Sequence, residues 1–264
     1  MVSFGAMRMS NTNKKYSILA LLAVTVMALP SCANNTSGDA EISDPFESTN
    51  RAVFSFNTAV DKAVIHPIAK GYNTVVPEPA RTGIENVFHN LKSPVTFANQ
   101  ALQGDVEGAG NVLVRAVVNT FVGIGGLFDV AASEGIAYEP EDFGQTLATW
   151  GVGHGPYLVV PIIGPSSLRD YVGYAVDSFA DPLRWYLFNV DKESLYYGKV
   201  GLEYLSLRAS LVDVLEELQK SSIDYYAATR SAYYQHREAL VNDQDSSLSG
   251  GGANIPDYDS GEDL

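Results

Sequence analysis

The stretch from Gly108 to Phe128 limits what this chain can fold into more than any other segment. Arg115 is its only charge, and Val112, Leu113, Val114, Val117, Val118, Phe121 and Val122 surround a helix on every side. A helix that is apolar all round is either the core of a large protein or in contact with lipid. Gly123-Ile124-Gly125-Gly126-Leu127-Phe128 then breaks it, because glycine reaches backbone angles that other residues avoid. Two readings follow. One is a central core helix ending in a tight turn. The other is a re-entrant or interfacial hairpin, whose irregular backbone is tolerated at membrane depth where protein buries it or it lines a wet cavity. A second glycine loop, Gly151-Val152-Gly153-His154-Gly155-Pro156-Tyr157, reads as a rigid turn.

No run of eighteen apolar residues follows the amino terminus, so no segment there reads as a transmembrane helix. Residues 1–31 read instead as a signal peptide. Arg8, Lys14 and Lys15 supply its positive end, and Tyr16 to Leu29 form an apolar stretch too short to span a bilayer. It closes on Leu29-Pro30-Ser31-Cys32, the spacing of a lipobox, in which the Cys32 sulfur is lipidated. Cys32 is the one cysteine of the chain, so no internal disulfide can form. One acyl chain anchors weakly, whereas a triacylated cysteine anchors stably. Ala33 follows where inner-membrane lipoproteins often carry Asp, which points to the outer membrane. Removing the three cations leaves 14 Lys and Arg, 17 less 3, against 31 Asp and Glu, a formal charge of −17. That balance excludes nucleic acid as a partner and electrostatic docking on an anionic surface, so contact with lipid must be apolar.

Residues 32–43 are the lipidated end and a small, polar linker. The folded part is expected over 44–241 as one mostly α-helical domain. Asp44 reads as a helix cap, Pro45 as the first helical residue and Glu47 as the capping-box acid. Phe46, Val53, Phe56, Val60 and Val64 share one face of a helix of about five turns that ends before Pro67. Pro79 opens a helix through Leu91 and Pro94 another through Gln103. Ser166 or Ser167 caps one through Phe179, and Asp181-Pro182 starts a short one through Phe188. A long helix runs from about Lys192 to Gln219 with Leu207, Leu211, Leu215 and Leu218 on it, and a tyrosine-rich helix spans 223–241. Tyr157 to Ile163 is the one segment with extended character. The tail, 242–264, carries six acids and no Lys or Arg, a composition that predicts disorder.

Catalytic signatures are missing. His66, His89, His154 and His236 form no ligand pattern, and one cysteine cannot build a structural zinc site. Gly164-Pro165-Ser166-Ser167-Leu168 is not a nucleophile elbow, and Gly123-Ile124-Gly125-Gly126 lacks the Walker lysine. No enzyme activity and no cofactor are expected. On the last helix Tyr226, Arg230, Tyr233, Tyr234 and Arg237 share a face, read either as arginine stems packed on tyrosine rings or as a site for a lipid phosphate. Arg169 and Arg184 are similar headgroup-contact candidates, each also able to pair with the acid near it in sequence.

Taken together the motifs resemble the MlaA (VacJ) lipoprotein family. The carrying residues are Asp44-Pro45-Phe46-Glu47 with Asn50-Arg51, then Pro79-Ala80-Arg81 and Gln103-Gly104-Asp105. Asn119-Thr120, Gly123 and Gly125-Gly126-Leu127-Phe128-Asp129-Val130-Ala131 are the most distinctive. Phe143-Gly144-Gln145-Thr146-Leu147, Gly151-Val152-Gly153, Gly155-Pro156-Tyr157, Pro161, Gly164-Pro165-Ser166 and Arg169-Asp170 follow in order. Ser48-Thr49 departs from the pattern, where a small residue and then a bulky one would be expected.

The resemblance implies an all-helical, ring-like protein in the inner leaflet of the outer membrane, on the periplasmic side. It implies a central amphipathic channel, association with trimeric porins, and transfer of stray outer-leaflet phospholipid to a periplasmic carrier. On that reading Phe121, Gly123, Gly125, Gly126 and Phe128 form the lipid path or a gate. The rival readings are a lipid-anchored tether that handles no lipid, and an envelope hydrolase for which no nucleophile can be nominated.

Overall fold

Side-chain caps set most helix starts in the computed structural model, which describes residues 44–242. Asp105, Asp129, Asp142, Ser167, Asp181 and Asp224 each accept a hydrogen bond from a backbone N–H of the turn they open. The predicted signal peptide, Cys32, the linker and the acidic tail beyond Asn242 lie outside the described residues. The chain runs through α1 (Glu47–Val60), a π-helical turn (Asp61–Ile65), α2 (His66–Val75), α3 (Glu78–Gln103), α4 (Val106–Phe121) and α5 (Val130–Ser133). It continues through α6 (Phe143–Thr149), β1 (Tyr157–Val160), β2 (Gly164–Ser167), α7 (Leu168–Ala180) and α8 (Pro182–Asn189). α9 (Glu193–Ser210), α10 (Val212–Ser221) and α11 (Tyr225–Val241) complete it. The fold class is all-α, as the sequence predicts. β1 and β2 pair antiparallel, Tyr157 opposite Ser167 and Val160 opposite Gly164, which confirms the extended segment.

Three helix boundaries differ from expectation. The first helix does not stop before Pro67 but passes through it into α2. In the π turn His66 N–H bonds back five residues to the Asp61 carbonyl. The widened turn takes up the proline ring, which in an α-helix would press on the carbonyl four residues back. Pro94 does not separate two helices either and lies inside the 26-residue α3. Thr96, Asn99 and Gln100 just beyond it are buried, and Asn99 bonds to Thr146 (2.9 Å) and Asp177 (3.0 Å). Those tertiary bonds hold the helix in line. The long helix from Lys192 breaks at Leu211, where the Ala209 carbonyl accepts from a backbone N–H at the cap and from Asn73 Nδ2 at 2.8 Å.

Asp44 is a fourth correction. Phe46 is the cap residue of α1, with no side-chain hydrogen bond. The Asp44 carboxylate is nearly sealed from solvent, its side chain 2% exposed, and receives Arg230 Nη1 (2.8 Å), Asn50 Nδ2 (2.8 Å) and the Tyr226 hydroxyl.

Burial inverts the usual plan. Buried apolar residues form two small clusters, Ala69 with Ala209 and Val212, and Tyr157 with Val159 and Tyr226. Among the described residues fourteen buried polar ones outnumber the eleven buried apolar ones. Large apolar side chains stand outside. Of the apolar residues that share a face along α1 and the π turn, Phe46, Phe56 and Val64 are half exposed, while Asn50 and Asn57 turn inward and stitch the helix to the hairpin. Asn50 donates to the Tyr157 carbonyl and accepts from Val159 N–H; Asn57 does the same for Val160 and Ile162.

Candidate functional site

The apolar α4 segment shows the inversion most fully. Its inner face is Gly108, Ala109, Val112, Arg115 and Asn119, all buried. Leu113, Val114 and Val117 are exposed, and Phe121 at the tip is 81% exposed. The core-helix reading therefore fails, because the one charge, Arg115, lies inside beside Val112 while Leu113, Val114, Val117 and Phe121 stand outside. α4 packs along α3, the two joined by Gly104 in the left-handed region (φ 85°) and the Asp105 cap.

The glycine turn closes this hairpin's far end. Gly125 N–H bonds to Thr120 O and Gly126 N–H to Asn119 O, which satisfies carbonyls that the helix end leaves free. Gly125 and Gly126 have φ of 71° and 92°, and a Cβ on Gly126 would stand 2.6 Å from Asn90 Cβ. At Gly123 a Cβ would run into the Phe128 and Asn119 carbonyls. Phe128, Val122 and Ile124 are exposed around the turn. Beneath it Arg115 Nη2 pairs with Asp129 at 2.7 Å, and Asn119 bonds both Asp129 and Ala131 N–H. The turn is thus an apolar tip on a polar, hydrogen-bonded base. His89, on α3 beside this base, stacks on Tyr138 with ring centroids 3.9 Å apart. Burial first, then the charges of Lys92 and Arg115, push its pKa down to about 4.

The four arginines named as headgroup candidates divide. Arg237, 8% exposed, makes two 2.6 Å bonds to Asp142 and one of 3.1 Å to Asp170. Arg169 donates to Asp170 at 2.8 Å, and the Tyr233 hydroxyl donates to the same carboxylate. Burial works to raise the Asp170 pKa, but the Arg169 hydrogen bond, the Arg237 charge and Tyr233 outweigh it and hold the group at about 2. Gly144 and Gly173 make this hub possible, since a Cβ on Gly144 would strike Arg237 Nη2 and Asp170. Arg230 pairs with Asp44, with its guanidinium 5.6 Å from the Tyr226 ring. On α11 the arginines are thus committed to internal acids among packed tyrosine rings. Arg184 differs. It lies between the rings of Phe179 (4.6 Å) and Phe188 (4.9 Å), with no carboxylate within ion-pair distance among the described residues, and exposed Trp185 and Tyr186 follow it.

A cavity of about 480 Å³ opens between α1 with its π turn, the β-hairpin, α9, α10 and α11. Phe54, Ile65, Leu211, Leu215 and Tyr225 give it apolar walls, and Lys62, Arg208, Glu216 and Lys220 give it polar ones. Sequence reasoning missed Asp61 and Arg208, which pair there through two 2.8 Å bonds. Arg208 stands one residue past Leu207, off the leucine stripe, and so reads as facing solvent. In the fold Leu207 is 57% exposed and Arg208 only 9%. No group of three His, Cys, Asp or Glu is placed to hold a metal among the described residues, and no helix there is long and apolar enough to cross a membrane.

Among the described residues polar groups lie inside, large apolar ones outside and no helix is long and apolar enough to span a membrane, the pattern of a helical protein with an apolar surface. Comparison with known proteins narrows the class. The model of the family described as MlaA lipoprotein matches residues 42–240. The chain is 35% identical over 228 residues to the intermembrane phospholipid transport system lipoprotein MlaA of Escherichia coli (strain K12), covering 85% of this chain and 88% of that one. The protein of the same name in Haemophilus influenzae is 33% identical over 235 residues, 87% of this chain and 92% of that one. An uncharacterized protein of Rickettsia felis is 37% identical over 209 residues, 78% of this chain and 81% of that one. A solved structure described as the structural basis for maintenance of bacterial outer membrane lipid asymmetry superposes with a TM-score of 0.67 at 36% identity, covering 76% of this chain and all of that one. The chain belongs to the MlaA lipoprotein family.

Proposed function

We propose that this chain is an outer-membrane lipoprotein, anchored through Cys32 on the periplasmic side, that removes stray phospholipid from the outer leaflet. The observation that carries the reading is the inverted burial. Exposed valine, leucine and phenylalanine are favourable against acyl chains and unfavourable against water, at about 25 cal/mol per Å². Buried arginines, asparagines and carboxylates leave an interior that a headgroup can approach while its tails stay shielded. The relatives' names, with their phospholipid transport system, support the same reading.

The finer assignments belong to this proposal. The fold lies in one leaflet, ring-like around an amphipathic channel. Phe121, Gly123, Gly125, Gly126 and Phe128 form the lipid path or gate, moving as a unit on the Arg115–Asp129–Asn119 base. Of the headgroup candidates, Arg184 is the one whose donors carry no acidic partner, while Arg169, Arg230 and Arg237 shape the interior through their internal pairs. A trimeric porin and a soluble periplasmic carrier are the partners. The protein supplies a path rather than a reaction. The test is outer-leaflet phospholipid in cells lacking the gene. Raised surface phospholipid, restored by wild type and not by Cys32→Ala, is expected; no change in the deletion would favour a tether without lipid handling.

A further inference from the structure

Arg208 is the most deeply committed cation of the cavity and still has a donor to spare. Its Nε and Nη2 hold the two Asp61 oxygens, each at 2.8 Å, and Nη2 lies 3.2 Å from His66 Nδ1. Its Nη1 has no hydrogen-bond partner among the described residues, although the residue is only 9% exposed. A buried donor left unpaired is destabilising, more so when it is charged, so such a group calls for an acceptor. The cavity that Arg208 lines is also a cationic place in an acidic chain. Lys62, Arg208 and Lys220 face it against Asp61 and Glu216, while the whole chain carries a net charge of −14. Glu216 is already engaged by Lys70 (2.6 Å) and Lys220 (3.3 Å), and Lys62 has no carboxylate within ion-pair distance among the described residues.

We propose that this cavity binds a single phosphate-bearing amphiphile, with the phosphate oxygen on Arg208 Nη1, the headgroup towards Lys62 and the acyl part against Leu211 and Leu215. The assignment rests on the lipid-removal reading and adds a specific subsite to it. Asp61 is a positioning residue. Its two-point bond fixes the guanidinium plane, so Nη1 is presented in a set direction rather than sampling many. The π turn that carries Asp61 fits the habit of such turns to lie at functional sites.

The test is calorimetric titration of the detergent-extracted, amphipol-held protein with dihexanoyl phosphatidylglycerol below its micelle concentration. Glycerol phosphate and octyl glucoside serve as separate probes. Wild type is expected to bind the phospholipid, and Arg208→Gln to bind it at least tenfold more weakly, as loss of a charged hydrogen bond requires. Because Arg208→Gln strands Asp61, the double variant Asp61→Asn/Arg208→Gln is measured beside it, and the exposed Lys62→Gln is expected to weaken binding by about two- to threefold. Equal phospholipid affinity in wild type, the double variant and Lys62→Gln would overturn the subsite and leave the lipid-removal reading standing. Glycerol phosphate binding as tight as the phospholipid would overturn the amphiphile assignment, and octyl glucoside binding as tight would overturn the role of the phosphate. No phospholipid binding by wild type would overturn the subsite and count against the wider reading with it.

Discussion

Phe121→Ser tests whether the exposed apolar surface meets lipid. Phe121 ends α4 and is 81% exposed. A phenylalanine side chain offers about 200 Å² of surface, so about 160 Å² here is free to enter acyl chains. At about 25 cal/mol per Å² that is about 4 kcal/mol of transfer free energy. If half of the surface is in contact, about 2 kcal/mol remains, a factor of about thirty in partitioning. The assay is flotation of residues 33–264, which lack the lipidation site proposed at Cys32, with vesicles of bacterial phospholipid. The variant's partition coefficient is expected to fall at least tenfold. Its melting temperature in detergent should stay within the range of ordinary surface changes, since little of the fold touches the ring. Unchanged flotation with an intact fold would refute the argument, because the tip would then face something other than lipid.

Three further expectations follow from individual contacts. His89 has a folded pKa of about 4 against an ordinary 6.5, so the unfolded chain takes the proton first and stability is lost as pH falls from 6.5 towards 4, by up to about 3 kcal/mol. Melting curves between pH 7 and 5 should show that slope, and His89→Gln should flatten it; an equal slope in both would place the titration elsewhere. Gly173→Ala puts a Cβ 2.7 Å from Gly144 Cα, and the forced separation of α6 and α7 should cost about 1–3 kcal/mol in denaturant titration; no loss would mean the crossing is looser than described. Gly125→Val and Gly126→Val should raise outer-membrane permeability to detergent, the second more strongly because Asn90 also stands in its way. Normal resistance at normal protein levels would count against the gate.

What the sequence could tell was local, and what it hid was orientation. Ser167 and Asp181 were readable as caps because a cap needs only its own turn, and both cap the helices expected of them. The all-helical class was readable for the same reason. Pro67 and Pro94 misled, since a proline normally ends a helix, and only a π turn in one case and distant hydrogen bonds in the other override it. The faces of α1, α4 and α9 could not be read correctly, because hydrophobic periodicity says which residues are alike and not which side is wet. Asp44 reads as a cap and is instead a buried anchor, which local sequence hides because Tyr226 and Arg230 lie more than 180 residues away. Arg208 was hidden by the leucines beside it. Gly173 carried no visible pattern, since it is required by the Gly144 backbone of another helix, and Gly144 showed only as part of a family motif.

The bond between Asp44 and α11 also sets an order of events. Tyr226 and Arg230 follow Asp44 by more than 180 residues, so a chain made from the amino end cannot clasp its first helix until the last one is present. Until then the tyrosines, the arginine and the carboxylate lack one another, and an envelope protease would find the chain open. Once closed, the clasp fixes the point where the leash begins. Eleven residues lie between Cys32 and Asp44, a reach over twelve residue steps of at most about 40 Å. With the anchor proposed at Cys32, the fold would stay within that reach of its bilayer, and truncation before Tyr226 should leave a protein tethered in place yet unable to shut.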